Sequence, residues 1–270
     1  TTAPVLDPGR GRTKIGQLWA YARDDRPWGG TDPPGVAFVY APDRKATQPI
    51  AHLSGFTGVL QVDGYAGYRP LAKRNDVQLA FCWSHVRRRF YELAAAGPAP
   101  IATEALERIA NLYAIEKDIR GRNADERRAV RQDRSRPIID GLEPWLRAKL
   151  ALISQKTKLA EAIRYALSRW EGLTRFLDDG RIEIDSNVVE RSIRPIALNR
   201  KNALFAGSDG GAEHWAVVAS LIESCKLNAV DPQAYLTDAL TKIVNRHPNS
   251  RIDELLPWAY AINQPLKDVA

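Results

Sequence analysis

The hydrophobic pattern of the sequence changes near residue 83 from one typical of strands to one typical of helices. Before that point, short apolar or alternating runs lie between clusters of Gly, Pro and Asp, as strands in a sheet do. From residue 84 to about residue 170, apolar side chains recur at steps of three and four, which predicts helices. The sequence therefore predicts an α/β protein in which a sheet region precedes a long helical block. The predicted strands are residues 17–21, 36–40, 59–62 and 77–81, and the helical spacing is clearest at Ala105, Ile109, Leu112 and Ile115.

Shorter elements are predicted after the helical block. Residues 181–185 are interpreted as a short strand or extended run, and the helix that follows Asn187 is expected to be interrupted or ended by Pro195. The glycine-rich segment 205–211 has two interpretations, because its backbone amides can bind a phosphate or the segment can simply connect two elements. Gly-Gly before a helix favours the connection.

Two further helices are predicted near the C-terminus, at about residues 213–227 and 232–244. Asp231 at the N-cap with Pro232 at the first helical position is a strong start signal for the second. The apolar and acidic segment 252–258 is expected to pack back on the rest of the chain.

Composition excludes several classes of protein. Of the 270 residues, 44% are hydrophobic and 26% are charged, which is typical of a globular chain and excludes collagen, coiled-coil rods and disorder. No run of about 18 apolar residues occurs, so no membrane span is expected. Two cysteines are too few for a disulfide scaffold and no secretory signal is recognised, so a cytoplasmic protein is expected.

The net charge of +7 favours a polyanionic partner such as nucleic acid, but a solvated basic surface explains it equally well. Residues 120–136 carry seven arginines against three acids. Such a stretch is more often a solvated helix face than a binding surface, and we interpret it as the former.

Two carboxylates are candidate site residues. Asp63 ends a predicted strand, where sheet proteins often place site residues, although an Asp before Gly64 also suits a simple turn. Glu190 follows Asn187 by three residues, a spacing similar to a capping box. With Arg191 and Arg194 beside it, Glu190 also suits a metal next to a phosphate backbone. Both interpretations stay open for each acid.

The Cys-x-x-His sequence at Cys82 and His85 does not predict a zinc finger. A structural zinc needs four ligands, and the other cysteine, Cys225, has no adjacent histidine pair. We expect Cys82 and His85 to shape the start of a helix. Arg87 and Arg88 follow on that helix and either contact phosphate or lie on the surface.

Six segments resemble, in order and spacing, the insertion sequence 66 family of DDE transposases. They are VLDPGRG at 5–11, LWAY at 18–21, LQVDGY at 60–65, CWSHVRR at 82–88, IDSNVVER at 184–191 and KN at 201–202. LNAVDP at 227–232 and IDELLPW at 252–258 extend the resemblance, so that it covers nearly the whole chain.

The resemblance implies a ribonuclease H-like core, in which a mixed sheet with helices is interrupted by a large helical insertion. Residues 1–90 would form the first part of the core and 179–219 the second part. The insertion would be 91–178, and 220–270 would form a helical C-terminal region.

The resemblance also implies residue roles. Asp63 would be the second catalytic acid and Glu190 the third, and together they would hold Mg²⁺ or Mn²⁺, with two ions about 3.5–4 Å apart in an intact site. Cys82, His85 and Asn187 would support the active site. The implied DNA-binding residues are Arg87, Arg88, Arg191, Arg194, Arg200 and Lys201.

The implied activity is metal-dependent cleavage and strand transfer of double-stranded DNA, at the ends of an insertion sequence and at its target. Water as the attacking group nicks DNA, whereas a freed 3′-hydroxyl joins it to the target, so no covalent protein intermediate is needed. The partner is DNA, no membrane is involved, and a homo-oligomer is compatible with this activity. The alternatives are an inactive DNA-binding remnant and a host nuclease with the same core.

The sequence departs from the family pattern at the first catalytic acid. The resemblance places that Asp immediately before Thr1, and Asp7 matches a loop position after the first strand. The chain also contains no methionine. We therefore expect a truncated transposase that binds DNA weakly and cleaves it poorly or not at all.

Overall fold

The computed structural model describes residues 1–7, 9, 11–74, 76–199 and 205–262. They form two compact units. The first unit contains Thr1–Asp25, Thr31–Gln48 and the described residues from Asn187 onward, and the second contains Arg26–Gly30 and Pro49–Ser186.

The strands are β1 (Thr2–Asp7), β2 (Arg12–Arg23), β3 (Gly35–Ala41), β4 (Gly58–Val62) and β5 (Val77–Phe81). The α-helices are α1 (Thr47–His52), α2 (Trp83–Ala95), α3 (Pro100–Ile119), α4 (Ala124–Val130), α5 (Arg136–Leu152), α6 (Lys158–Leu167), α7 (Trp170–Thr174), α8 (Asn187–Asn199), α9 (Asp209–Leu227), α10 (Pro232–Val244) and α11 (Pro257–Ile262).

The first unit is built on an antiparallel sheet of order β1-β2-β3. β1 and β2 form a hairpin in which Asp7 pairs with Arg12, and β2 pairs with β3 from Gln17 opposite Ala41 onward. Apolar side chains of the sheet pack against α8 and α9 to form the core of this unit. That core contains Ala3, Leu18, Val36, Phe38, Ile196, Ala216 and Ala219.

Helix α9 also satisfies the outer edge of the sheet. β3 is an edge strand, and edge strands present unpaired backbone groups. The Val36 N–H donates to Ser224 Oγ at 3.1 Å, and the Phe38 N–H donates to Ser220 Oγ at 2.8 Å. The Ser224 hydroxyl in turn donates to the Val36 carbonyl at 3.1 Å. Two serines one helical turn apart therefore take the place of a neighbouring strand.

The C-terminal helices confirm their sequence signals. Asp231 caps α10, and its Oδ1 accepts from the Ala234 N–H at 2.7 Å. The predicted return of the 252–258 segment is also confirmed, because the Tyr235 hydroxyl donates to the Leu255 carbonyl at 2.7 Å. Tyr260 then packs edge-on against Tyr235, with ring centroids 5.7 Å apart.

The second unit places a two-stranded parallel sheet against the predicted helical block. β4 pairs with β5 in parallel register, from Gly58 opposite Val77 to Val62 opposite Phe81. The block forms α2 to α7, and the helical side chains that the sequence predicts to be buried are buried. Trp83 is fully buried, and its indole N–H donates to the Leu173 carbonyl at 2.8 Å. The core includes Trp83, Phe90, Ile109, Leu112, Leu142, Leu146, Ile163 and Phe176.

The arginine-rich stretch is not simply a solvated helix face, so that interpretation is wrong for two of its members. Arg127 is 1% exposed and Arg131 is fully buried. Both contact Glu116, with Arg131 donating to its two carboxylate oxygens at 2.8 and 2.6 Å. Arg127 also pairs with Glu183. Buried charges of this kind require paired partners, and the two glutamates provide them.

Three local expectations need correction. Residues 181–185 form bends and turns instead of a strand. Pro195 lies inside α8 and does not end it, and Ile196 after it packs in the core of the first unit. Asp7 is the last residue of β1, where it pairs with Arg12, and not a loop residue.

Among the described residues, the strands form one antiparallel sheet of three strands and one parallel sheet of two. β1 pairs with β2 along one edge. Its other edge is occupied within the same unit by Ala206, whose N–H donates to the Pro4 carbonyl at 2.8 Å and whose carbonyl accepts from the Leu6 N–H at 3.1 Å. The fold is thus mixed α/β, and predominantly helical after β5.

Candidate active site

Asp63 stands immediately after β4, with an exposed side chain. One carboxylate oxygen, Oδ1, accepts from the Tyr65 N–H at 2.9 Å. Asp63 is therefore the turn residue that the Asp-Gly sequence suggests. The same contact fixes an exposed carboxylate at the carboxyl end of a strand, so the turn and the site interpretations are compatible.

The turn at Asp63 is held from the helical block. The Tyr165 hydroxyl donates to the Asp63 carbonyl at 2.9 Å, and Arg169 donates to the Gly64 carbonyl at 3.2 Å. Gly64 has φ +87°, and a Cβ there would lie 2.7 Å from Arg169 Nε and 2.8 Å from the Tyr165 hydroxyl. Only glycine fits this position. The sequence did not point to Tyr165 or Arg169. The two residues lie four positions apart on the predicted helical block, and nothing in that spacing shows that they contact Asp63 and Gly64 about a hundred positions away.

Arg89 and Arg169 contact the Tyr165 ring, and Arg69 is near enough to Arg169 for its charge to act on that guanidinium. These three arginines are called the arginine cluster. The guanidinium carbons of Arg89 and Arg169 lie 4.0 and 3.9 Å from the centroid of the Tyr165 ring. Burial lowers the pKa of Arg169, and the nearby charges of Arg69 and Arg89 lower it further against the opposing effects of Tyr165 and Asp63. The cluster thus concentrates positive charge beside Asp63.

Cys82 lies at the N-cap position of α2, at the helix start where it was expected. It is 2% exposed, and its sulfur accepts from the Ser186 N–H at 3.3 Å and lies 3.0 Å from Ser84 Oγ. Burial raises the pKa of the thiol, but hydrogen bonds with His85, Ser186 and Ser84 outweigh burial and bring the pKa down to about 7. These contacts join the start of α2 to the end of the second unit.

Glu190 lies in the first turn of α8 and is half-buried. Arg191 and Arg194 follow it on the same helix and are exposed. Glu190 belongs to the first unit and Asp63 to the second.

The other predicted DNA-binding residues are only partly within the described part of the chain. Arg87 and Arg88 are exposed on α2, and the Arg87 guanidinium lies 5.9 Å from the centroid of the Tyr91 ring. Arg200 and Lys201 lie outside the described residues, as does Asn202 of the family motif.

The glycine-rich segment before α9 is a helix start. Ser208 caps α9, and its Oγ accepts from the Gly211 N–H at 2.9 Å. Asp209, the first residue of the helix, pairs with Lys14 at 2.6 Å and accepts from the Tyr40 hydroxyl at 2.5 Å. These two hydrogen bonds lower the pKa of Asp209. The segment connects two elements, as the sequence favours, and places a carboxylate at the helix start.

Carboxylate oxygens such as those of Asp63 and Glu190 are the donors that Mg²⁺ and Mn²⁺ prefer, so the donor chemistry fits the metal that the family implies. Within residues 1–262, the described positions contain no group of three or more His, Cys, Asp or Glu side chains arranged to hold a metal ion. The described helices also include none with the length and apolar character needed to cross a membrane.

Comparison with known proteins identifies the family. The family described as "Transposase IS66 family" matches residues 1–214, and the "IS66 C-terminal element" matches residues 220–258.

Three proteins of Sinorhizobium fredii are similar, all named as uncharacterized. Protein y4qI is 49% identical over 267 residues, which cover 96% of this chain and 50% of y4qI. Protein y4jD is 45% identical over 271 residues, covering 98% of this chain and 53% of y4jD. Protein y4hP is 41% identical over 276 residues, covering 96% of this chain and 50% of y4hP.

This chain spans about half the length of these relatives. No solved structure matches it. The two family matches together nevertheless cover most of the sequence, from the β1 strand to α11. The chain belongs to the IS66 family of transposases.

Proposed function

We propose that the chain acts on double-stranded DNA as a transposase, cleaving strands at the ends of an insertion sequence and transferring them to a target. The observation that carries this proposal is the family match over residues 1–214. The exposed Asp63 carboxylate, fixed by its turn at the end of β4, supports it.

In this proposal Asp63 and Glu190 hold the divalent metal. Two bound Mg²⁺ or Mn²⁺ ions would activate the attacking oxygen and stabilise the leaving oxygen at a phosphodiester. The Tyr65 amide orients the Asp63 carboxylate, and Tyr165 and Arg169 keep its turn in place. Cys82, His85 and Asn187 would support the site from the starts of α2 and α8.

The exposed arginines are proposed to contact the DNA backbone. Arg87 and Arg88 on α2 and Arg191 and Arg194 on α8 are exposed and can each neutralise a phosphate. Arg200 and Lys201 are proposed for the same role from the sequence alone.

The organisation of the chain is a further part of the proposal. Residues 1–90 and 179–219 would form the ribonuclease H-like catalytic region, 91–178 its helical insertion and 220–270 a C-terminal helical region. Both cysteines are free thiols, which suits the reducing cytoplasm where we place the protein. Homo-oligomerisation on DNA is proposed because an element has two ends to process.

Metal-dependent nicking of a duplex that carries the element's ends tests the proposal. The comparison is between this chain and one extended upstream to include the Asp that the family pattern places before Thr1. We expect nicking with Mg²⁺ or Mn²⁺ by the extended chain and little or none by this chain. Equal nicking by both would show that the first acid is wrongly placed. If neither form nicks but both bind DNA, the transposase proposal fails and a DNA-binding remnant is favoured.

A further inference from the structure

The arginine cluster has more positive charge than its surroundings balance. Among the residues that the structure describes, no carboxylate lies within salt-bridge distance of Arg169, and Arg69 makes no ion pair. Within the same part of the chain, Arg89 has one salt-bridge partner, Glu161 at 3.5 Å, and the two side chains are 40% and 68% exposed. Three guanidinium groups against the carboxylates of Glu161 and the nearby Asp63 leave the cluster with a net positive charge.

The cluster is held in place by uncharged contacts. Arg169 donates to three neutral oxygens, those of the Tyr165, Ser168 and Gly64 groups, at 3.0 to 3.2 Å. Arg89 and Arg169 both approach the face or edge of one tyrosine ring. Cation–π contacts and neutral hydrogen bonds orient a guanidinium without neutralising it. Arg169 is therefore positioned by its partners while its charge remains available to an anion.

Bringing these cations together has an electrostatic cost. Burial disfavours the protonated form of Arg169, and the charges of Arg69 and Arg89 disfavour it further, against the opposing effects of Tyr165 and Asp63. Arginine stays protonated in proteins, so the repulsion is not relieved by loss of a proton. A bound anion would relieve it, and the planar guanidinium matches the oxygens of a phosphate as well as those of a carboxylate.

We propose that Arg69, Arg89 and Arg169 form a binding site for a backbone phosphate of DNA, directly beside the turn that carries Asp63. This inference rests on the proposed function for the identity of the polymer, and it assigns a phosphate contact to residues of the helical block. The phosphate is held next to the candidate catalytic acid because Arg169 contacts both Tyr165 and the Gly64 carbonyl of that turn.

The test is a salt titration of DNA affinity in the absence of divalent metal. The binding constant K for a short DNA duplex is measured at a series of salt concentrations for the full chain and for its Arg69→Gln and Arg89→Gln variants. The slopes of log K against log salt concentration are then compared. Removal of one phosphate contact is expected to make the slope less steep by about 0.9 for each variant. Arg147→Gln is the matched control, since Arg147 is an exposed arginine of α5 paired with Glu143. Its slope is expected to equal that of the original chain.

Free phosphate is distinguished from DNA phosphate in a second arm, with inorganic phosphate as the probe. Binding of inorganic phosphate that is lost in Arg69→Gln, with unchanged DNA slopes, would mean a small-anion site and would overturn the inference. Unchanged slopes in both cluster variants, an equal change in Arg147→Gln, or no DNA binding at all would also overturn it.

This measurement is independent of cleavage. If the cluster variants change the slope but no form of the protein nicks DNA, the phosphate site stands and the transposase proposal fails. If nicking occurs and the slopes are insensitive to Arg69 and Arg89, the transposase proposal stands and the phosphate site fails.

Discussion

At Gly64 the backbone conformation decides which residue can stand beside the candidate catalytic acid. Its φ of +87° is favourable only for glycine, and Tyr165 and Arg169 leave no room for a Cβ. Gly64→Ala is expected to lower the free energy of unfolding by about 1–3 kcal/mol. Urea denaturation measures this change. Gly55→Ala is the control, because a Cβ at Gly55 meets nothing within 4 Å, and equal stability of the two variants would contradict the account.

Cys82 is expected to make the free energy of unfolding depend on pH. Its pKa is about 7 in the folded protein, against an ordinary value of 9.0. Between these values the unfolded chain binds more protons than the folded one, so the contribution of Cys82 to stability rises with pH from about 7 to 9. This contribution is fully present above about pH 9 and is lost as the pH falls through 7.

The difference in unfolding free energy between the original chain and Cys82→Ala isolates this effect, because other titrating groups are common to both. We expect the difference to grow by at most about 1.4 kcal/mol per pH unit across the window. The pKa of Cys225 is raised by burial to about 11, so Cys225→Ala serves as the control and should give a difference that does not grow. If the difference in unfolding free energy between the original chain and Cys82→Ala does not change with pH, the Cys82 thiol is not ionised near neutral pH.

At the scale of elements, the contact between β3 and α9 depends on two hydroxyl groups. Ser224 is 4% exposed and binds both the N–H and the carbonyl of Val36. Ser224→Ala leaves these backbone groups without a partner in a buried place, which is expected to cost about 1–3 kcal/mol of unfolding free energy. Ser54→Ala, at an exposed turn, should change stability by less than about 0.5 kcal/mol. If Ser224→Ala and Ser54→Ala lower the unfolding free energy by equally small amounts, water or another strand must hydrogen-bond the Val36 backbone groups in place of Ser224.

Much of the element pattern could be predicted from local sequence. β2 to β5 follow from short apolar runs between turn residues, and α10 follows from Asp231 and Pro232. These signals are local, because strand alternation and helix capping depend on residues a few positions apart. β1 was missed as a strand, since its pairing with β2 gives no signal of its own in the sequence.

At the scale of the whole molecule, several of the unpredicted features depend on partners far apart in the chain. Arg127 is buried because Glu183 lies beside it, 56 positions away, and no charge count could show that. Tyr165 reaches Asp63 across 102 positions. The division of the strands into two sheets is likewise a matter of pairing between distant segments. Asp63, Cys82 and Glu190 could be identified as candidate site residues from the sequence. Tyr165 and Arg169, which hold the turn at Asp63, were identified only from the structure.

The catalytic roles of the acids remain a prediction that concerns the whole molecule, since Asp63 and Glu190 belong to different units. We propose that both acids serve one metal-dependent reaction on DNA. Groups that act together in one reaction are strongly non-additive, so removing the second after the first costs little more.

The most direct test compares metal-dependent nicking by Asp63→Asn, Glu190→Gln and the double variant, in the form of the protein that nicks DNA. Asp140→Asn and Glu107→Gln, which change exposed carboxylates on α5 and α3, are the matched controls. We predict a loss of about 10³-fold or more for each single variant, no further loss in the double variant and normal rates in the controls. A single variant that nicks at the original rate, or a double variant whose loss is the product of the two single losses, would contradict the account.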